Sequence, residues 1–196
     1  MFAVVALGYL EEMEREIFHN EELAERAKAL KEEIQRAIET IGKTFTEEFG
    51  MVYAYETDGY GMYNLMDDAN VPSLLAMSYL GYEGEPEVSS NTRRFLLSEA
   101  NPFYFKGDKA AGIGSPHTPS NYIWHIAMAI QGLTSETREE KLEILKNMAA
   151  TTGGKGVMHE GFCCEDDSKF TRAWFSWANA MYAELFLDYM GYQLEK

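Results

Sequence analysis

The sequence contains few cysteines and no long hydrophobic run. Its 196 residues include only two cysteines, the neighbours Cys163 and Cys164, which are poorly placed to form a disulfide with each other. We therefore expect two reduced thiols, as in a cytoplasmic protein. The apolar stretch at residues 1–10 is too short to span a bilayer and lacks the basic start of a signal peptide. The sequence therefore predicts neither a membrane-spanning segment nor a disulfide.

Basic residues are also scarce. The chain has 17 lysines and arginines against 32 acidic residues, which gives a net charge of -15. Nucleic-acid binding requires a basic surface that neutralises phosphates, and anionic membranes attract basic segments. The charge therefore argues against a nucleic-acid partner and against a membrane partner, and it is compatible with a neutral substrate such as an oligosaccharide.

Helical periodicity dominates the chain and predicts seven helices. The first covers about residues 1–18, and the second is capped by Asn20 and ends at Gly42. The third, fourth and fifth are expected at about residues 71–81, 89–100 and 121–132. The sixth is expected to follow a cap at Thr134 or Ser135, and the seventh to cover about residues 171–190. A short β-hairpin-like insertion near residues 51–63, with its turn at Asp58-Gly59, interrupts the helical pattern.

Long loops alternate with tight connections along this series of helices. The long loops cover residues 43–66, 101–120 and 153–168. This alternation is typical of helical hairpins that place their long loops on one common face. The predicted fold is therefore all-α, a toroid of helical hairpins, and it forms a single domain over residues 1–196.

The amino-terminal residues are unusual for the start of a helix. Met1 opens directly inside an apolar helical face, without the polar approach and the capping residue that usually precede a helix. This pattern favours a chain that is the second part of something longer. The alternative is a short helix that begins at an initiator methionine and packs normally.

The loop around Glu160 carries the strongest candidate for chemistry. Glu160 follows a histidine and has the apolar neighbours Met158 and Phe162, which predict partial burial of its carboxylate. Cleavage of a glycosidic bond requires a carboxylate that transfers a proton. The alternative is a solvated loop glutamate. Arg172 is expected to bind Glu160 or a sugar hydroxyl, or else to pair with a nearby aspartate, Asp166 or Asp167.

Two further segments contain polar side chains suited to sugar hydroxyls. Asp67, Asp68 and Asn70 precede the third predicted helix, where they either bind hydroxyl groups or favour the helix start. Residues 112–119 form a loop rich in glycine and proline that contains His117. A zinc site is a further alternative, although the spacing of its candidate ligands fits no zinc motif. Those candidates are His117, His125 and His159.

Taken together, three strings resemble glycoside hydrolase family 125. They are residues 66–75, residues 112–125 and residues 159–175, and the resemblance continues in order along essentially the whole chain. Members of this family are metal-independent exo-acting α-1,6-mannosidases with an (α/α)6 barrel. The resemblance therefore implies a mannose-containing oligosaccharide as the substrate, no metal and no cofactor, and inversion of the anomeric carbon by two carboxylates.

The resemblance also implies individual roles. Glu160 corresponds to the general base, whereas the family's general acid is an aspartate expected upstream of Met1. The chain then contains about half of the barrel, and either a companion amino-terminal half or self-association is expected to cover its apolar faces. Residues expected to contact or support the sugar are Asp67, Asp68, Asn70, His117, Tyr122, Trp124, His159, Arg172 and Trp174. Two other functions stay open, a non-catalytic carbohydrate-binding remnant and a helical interaction protein.

Overall fold

The computed structural model describes residues 1–192, and this part of the chain forms two compact units. Unit 1 comprises Met1–Leu65 and Met77–Thr92. Unit 2 comprises Met66–Ala76 and the described residues from Arg93 onward. The single domain over residues 1–196 stays a prediction, and residues 193–196 lie outside the described part of the chain.

Two packed helices form most of unit 1. Helix α1 (Phe2–Glu16) lies against helix α2 (Glu21–Ile41). The Asn20 side chain caps α2 by accepting the amide of Leu23 at 3.3 Å, and Gly42 follows the end of the helix. Both boundaries of α2 agree with the prediction, because the signals that set them lie within one turn of the helix ends.

Two short antiparallel hairpins follow α2 in unit 1. Strand β1 (Lys43–Thr46) pairs with β2 (Gly50–Tyr53), and β3 (Glu56–Thr57) pairs with β4 (Tyr63–Asn64). The predicted insertion near residues 51–63 is therefore confirmed in type, but it consists of two hairpins and covers residues 43–64.

Unit 2 is built around a buried helix and a three-stranded sheet. Helix α3 (Pro86–Leu96) has residues in both units. The remaining elements, all in unit 2, are β5 (Tyr104–Lys106), β6 (Ala111–Ile113), β7 (Tyr122–Trp124), α4 (His125–Leu133), α5 (Arg138–Ala150), β8 (Gly161–Cys163), β9 (Asp166–Thr171) and α6 (Ser176–Tyr189). Strand β5 pairs with β6, and the antiparallel sheet has the order β7-β8-β9. Helix α4 is almost entirely buried and packs against α5 and α6.

The prediction of a third helix at residues 71–81 is wrong, because these residues form a series of turns. The carboxylate of Asp67 accepts the amides of Leu74 and Leu75, each at 2.9 Å, so the Leu75 amide bonds to a side chain where a helix begun at residue 71 would supply a backbone carbonyl. Both amides would otherwise be unpaired donors in the protein interior.

The fifth and seventh helices begin later than predicted. Residues 122–124 are extended because they pair with β8, so α4 begins only at His125. Thr171 pairs with Gly161 in the same sheet, so α6 begins at Ser176. Pairing between distant strands therefore overrides the local helical pattern at both places.

The fourth and sixth helices need smaller corrections. Helix α3 begins and ends a few residues before the predicted range of 89–100. Helix α5 is capped by Thr137, whose hydroxyl accepts the amide of Glu140 at 3.3 Å, and not by Thr134 or Ser135. Helices nevertheless dominate the described part of the chain, with six helices and several small sheets.

No helix within residues 1–192 has both the length and the apolar character needed to cross a bilayer.

Candidate functional site

The sheet of unit 2 positions Glu160. Glu160 directly precedes β8, and the next residue, Gly161, lies between Trp124 on β7 and Thr171 on β9. The Thr171 hydroxyl accepts the Gly161 amide at 3.1 Å. A β-carbon at residue 161 would lie 3.0 Å from the Trp124 ring, so only glycine allows this close approach without a shift. The backbone that carries Glu160 is thus fixed at the start of β8, next to the close contact between Gly161 and Trp124.

Glu160 forms an ion pair with Arg172. The Glu160 carboxylate lies 3.0 Å from Nε of Arg172, and the glutamate side chain is 15% exposed whereas the arginine side chain is 62% exposed. Arg172 has a φ of 48°, in the left-handed region that non-glycine residues rarely adopt. Such strain is characteristic of functional sites, where the surrounding structure maintains it. The predicted partial burial of Glu160 and the predicted contact with Arg172 are both present.

The alternative partners of Arg172 have other contacts. Asp166 pairs with Lys169 at 3.2 Å, and Asp167 lies 3.6 Å from Lys109. Arg172 also places its guanidinium 5.2 Å from the centre of the Phe175 ring. The arginine is therefore directed toward Glu160 and an aromatic ring, and away from the acidic end of β9.

Two buried histidines support the backbone next to Glu160. Nδ1 of His125 lies 3.0 Å from the backbone nitrogen and 3.2 Å from the carbonyl oxygen of His159, and Nε2 of His125 lies 3.1 Å from the Thr151 hydroxyl. Nε2 of His159 bonds to the carbonyl of Thr152 at 2.9 Å, and its ring stacks on Phe170 at 3.9 Å. Both rings are fully buried, and burial lowers the pKa of His125 to about 4. His125 is thus neutral at physiological pH.

His125 should make stability depend on pH. Its pKa is about 4 in the folded protein and 6.5 ordinarily, so the unfolded chain binds a proton between these values that the folded chain does not. The free energy of unfolding of the wild type should therefore fall, relative to that of His125→Gln, as the pH falls from 6.5 toward 4. Urea unfolding of both proteins at several pH values measures the difference. A difference that stays constant with pH would contradict the prediction.

Asp67 lies inside unit 2 rather than on a surface. Its carboxylate is fully buried and holds the amides of Leu74 and Leu75, while its own amide donates to the side chain of Asn101 at 3.2 Å. Burial raises the pKa of Asp67 to about 7. These contacts favour a role in holding the backbone over a direct contact with sugar.

Asp68, Asn70 and His117 lie close together. One oxygen of Asp68 accepts both the backbone amide and the side-chain amide of Asn70 at 3.1 Å, and the other lies 3.9 Å from Nε2 of His117. The amide of Ala69 donates to the carbonyl of Gly114 at 3.1 Å, which joins this segment to the loop of His117. The His117 side chain is 68% exposed, so its ring can meet a ligand.

Aromatic side chains link these segments to the sheet. The indole of Trp124 donates to the hydroxyl of Thr118 at 2.9 Å, which holds the His117 loop against β7. Tyr122, two residues earlier, is half-buried. Trp174 is 64% exposed and lies between Arg172 and the start of α6. Unit 2 therefore contains all the predicted site residues.

Asn179 was not among the predicted site residues. It lies in α6, and its side chain contacts Met158 and Phe175, which belong to the two loops that carry Glu160 and Arg172. The available signal was an asparagine within an apolar helical run, since asparagine is a weak helix former and is retained where its side chain bonds to a neighbour.

Residues 1–192 contain no group of three or more His, Cys, Asp or Glu side chains arranged to hold a metal ion. Within that range, the zinc alternative is therefore not supported. The two cysteines are unpaired, Cys163 being half-buried and Cys164 buried. The free thiols agree with the prediction, while a cytoplasmic location stays a prediction.

A family model, a related protein and a solved structure are all similar to this chain along most of its length. The family model of metal-independent alpha-mannosidases (GH125) matches residues 1–187. The Meiotically up-regulated gene 157 protein of Schizosaccharomyces pombe is 43% identical over 187 residues, which cover 94% of this chain and 36% of that protein. A solved structure of a metal-independent α-mannosidase from Streptococcus pneumoniae, in a non-productive complex with α-1,6-mannobiose, superposes with a TM-score of 0.94 at 45% identity. The superposition covers 97% of this chain and 46% of that chain, so the chain spans less than half of either relative.

Proposed function

Because this chain belongs to the GH125 family of metal-independent α-mannosidases, we propose that it carries the general base of an exo-acting α-1,6-mannosidase. In this proposal Glu160 is the base, and the reaction inverts the configuration at the anomeric carbon. The substrate is a mannose-containing oligosaccharide, by analogy with the relative that was solved with α-1,6-mannobiose.

One observation carries the proposal, the shielded Glu160 carboxylate beside Arg172. A general base must be held where it can reach the attacking water, and the contact of 3.0 Å with Nε of Arg172 fixes the position of the Glu160 carboxylate. The same arginine has several N–H donors, so it can hold a sugar hydroxyl while it contacts Glu160. A solvated loop glutamate would not be 15% exposed and held in this way.

The proposed reaction is a single displacement. Water attacks the anomeric carbon on the face opposite the leaving group, Glu160 accepts the proton of that water, and the bond from the anomeric carbon to the glycosidic oxygen breaks. The departing oxygen accepts a proton from an acid on the other face. The product is mannose of inverted configuration, and each carboxyl group returns to its initial state after proton exchange with solvent.

We place the general acid outside these 196 residues, in a segment equivalent to the part of the relatives that this chain does not match. We likewise propose that the helices of this chain form about half of an (α/α)6 toroid. Large apolar side chains are exposed along α1 and α6, and such surfaces favour a partner. A companion half with the acid, or a second copy of this chain, is the proposed partner.

The sugar-binding surface in this proposal consists of polar and aromatic side chains of unit 2, most of them exposed or half-buried, with Asp68 and Trp124 buried at its base. Flat rings pack against sugar faces, and carboxylate, amide and imidazole groups bond to hydroxyls. Asp67 and His159, both fully buried, support this surface from within. The proposed contacting residues are Asp68, Asn70, His117, Tyr122, Trp124, Arg172 and Trp174.

The leaving group provides a test. Fluoride departs without a proton, whereas a mannoside requires one, and acid assistance contributes about 10²–10⁴-fold. We therefore expect the purified chain to hydrolyse α-mannosyl fluoride faster than α-1,6-mannobiose by about that factor. Release of fluoride and of mannose, measured at equal substrate concentrations, gives the ratio. Equal rates would contradict the placement of the acid, and failure to hydrolyse either substrate would contradict the hydrolase function.

A further inference from the structure

The side chain of Asn179 bonds to two separate loops. Its oxygen accepts the amide of Met158 at 3.1 Å, and its nitrogen donates to the carbonyls of Met158 at 3.0 Å and Phe175 at 2.7 Å. The opposite amide orientation would set a donor against the Met158 N–H, so the contacts determine the orientation. The amide of Phe175 also donates to the carbonyl of Met158 at 3.1 Å, which closes the junction.

These two loops are the ones that present the proposed chemistry. Met158 lies two residues before Glu160, and Phe175 lies three residues after Arg172 and directly after Trp174. The ring of Phe175 also lies 5.2 Å from the guanidinium of Arg172. A change at the junction is therefore transmitted to both partners of the ion pair through short stretches of chain.

Helix α6 provides a rigid base for this junction. Its residues Ala178, Met181 and Leu185 are buried, and α6 packs closely against α4. A β-carbon at Gly132 of α4 would lie 2.7 Å from Leu185, which shows how tightly the two helices approach. Asn179 thus connects two loops to a helix that packs against the buried helix α4.

We propose that Asn179 is a positioning residue, which sets the geometry of Glu160 relative to Arg172 and Trp174. This inference rests on the proposed function of Glu160. Catalytic groups require near-ideal placement, and a displacement of about 1 Å costs about 10²-fold in rate. Asn179 achieves the placement by binding both loops with one amide group, although it contacts neither the carboxylate nor the guanidinium in the structure.

Asn179→Asp is the appropriate variant, because it keeps the size and the acceptor for Met158. It replaces the donating nitrogen by an oxygen that faces the carbonyls of Met158 and Phe175. The matched control is Asn91→Asp, since the side chain of Asn91 donates to a single backbone carbonyl, that of Met51, at 3.2 Å in unit 1.

The first readout is the NMR resonance of the Arg172 Nε–H group, assigned by its loss in Arg172→Lys. It reports the contact with Glu160 directly, and a merely structural role of Asn179 would leave it unchanged. We expect it to shift toward the position of solvent-exposed arginines in Asn179→Asp and to stay in place in Asn91→Asp. The second readout, hydrolysis of α-mannosyl fluoride, should fall by about 10²-fold in Asn179→Asp alone.

A folded Asn179→Asp protein with the wild-type resonance and the wild-type rate would overturn the inference. If the wild type hydrolyses no fluoride, the proposed function fails, and the Arg172 resonance alone then decides the role of Asn179. If Asn179→Asp does not fold, the inference is tested instead by hydrogen exchange of backbone amides in the wild type. The amide of Met158 should have a protection factor at least about tenfold above that of the exposed Gly156, and equal protection would overturn the inference.

Discussion

Replacement of Glu160 by glutamine is expected to lower the hydrolysis of α-mannosyl fluoride by this chain about 10²–10⁴-fold, the usual contribution of a general base. Glutamine retains the size of the side chain but does not accept a proton from water. Because fluoride leaves unprotonated, the substrate isolates the step assigned to Glu160. The carboxylate is 15% exposed and lies 3.0 Å from Arg172, so the substitution also removes the charge of that pair.

The measurement is fluoride release by wild type and Glu160→Gln, with the anomeric configuration of the first product followed by NMR. The control is Glu165→Gln, because Glu165 is an exposed glutamate on the same stretch of chain and binds the amide of Asp108 at 3.2 Å. The control should retain wild-type activity. Retention of activity by Glu160→Gln, or formation of mannose with retained configuration, would contradict the proposed role.

The largest effect on stability is expected from Asp67→Ala. The substitution leaves the buried amides of Leu74 and Leu75 without their acceptor, and each unpaired amide costs about 1–3 kcal/mol. Burial raises the pKa of Asp67 to about 7, so the folded protein disfavours the charged carboxylate, and removal of the carboxyl group offsets part of this cost. We expect the melting temperature to fall by roughly 10 °C, at about 2–4 °C per kcal/mol for a chain of this size.

Asp58→Ala provides the matched comparison. Asp58 also accepts two backbone amides, from Tyr60 at 2.8 Å and from Met62 at 3.0 Å, but it lies on an exposed turn of unit 1. Water replaces its hydrogen bonds, so the melting temperature should change much less than in Asp67→Ala. Thermal unfolding followed by circular dichroism compares the two, and equal losses would show that burial is not the cause.

Local signals account for the parts of the fold that the sequence predicted well. The helix from residue 21 to 41 could be located because Asn20 and Gly42 mark its ends and because its apolar side repeats with the helical period. The turn at Asp58-Gly59 was located by the same kind of local chemistry. The shielded position of Glu160 was indicated by apolar neighbours within two residues.

Contacts between distant residues account for the parts that were predicted wrongly or missed. Residues 122–124 are a strand because they pair with residues 161–163, about forty positions away, and no window of the sequence contains both. The turns at 71–81 depend on the burial of Asp67, and a carboxylate at that place in a sequence resembles an ordinary helix-start acid. Asn179 bonds to Met158, 21 residues earlier in the chain, only because α6 lies beside the loop that contains Met158.

The sequence by itself determined the helical character of the chain, the ends of α2 and the family. Each of these depends on residue types and on spacings of a few positions, which a linear chain retains. Tertiary structure alone decided that Arg172 pairs with Glu160 and not with Asp166 or Asp167. Arg172 meets Glu160 because the sheet pairs β8 with β9. The distance between the two side chains follows from that pairing and not from their order in the chain.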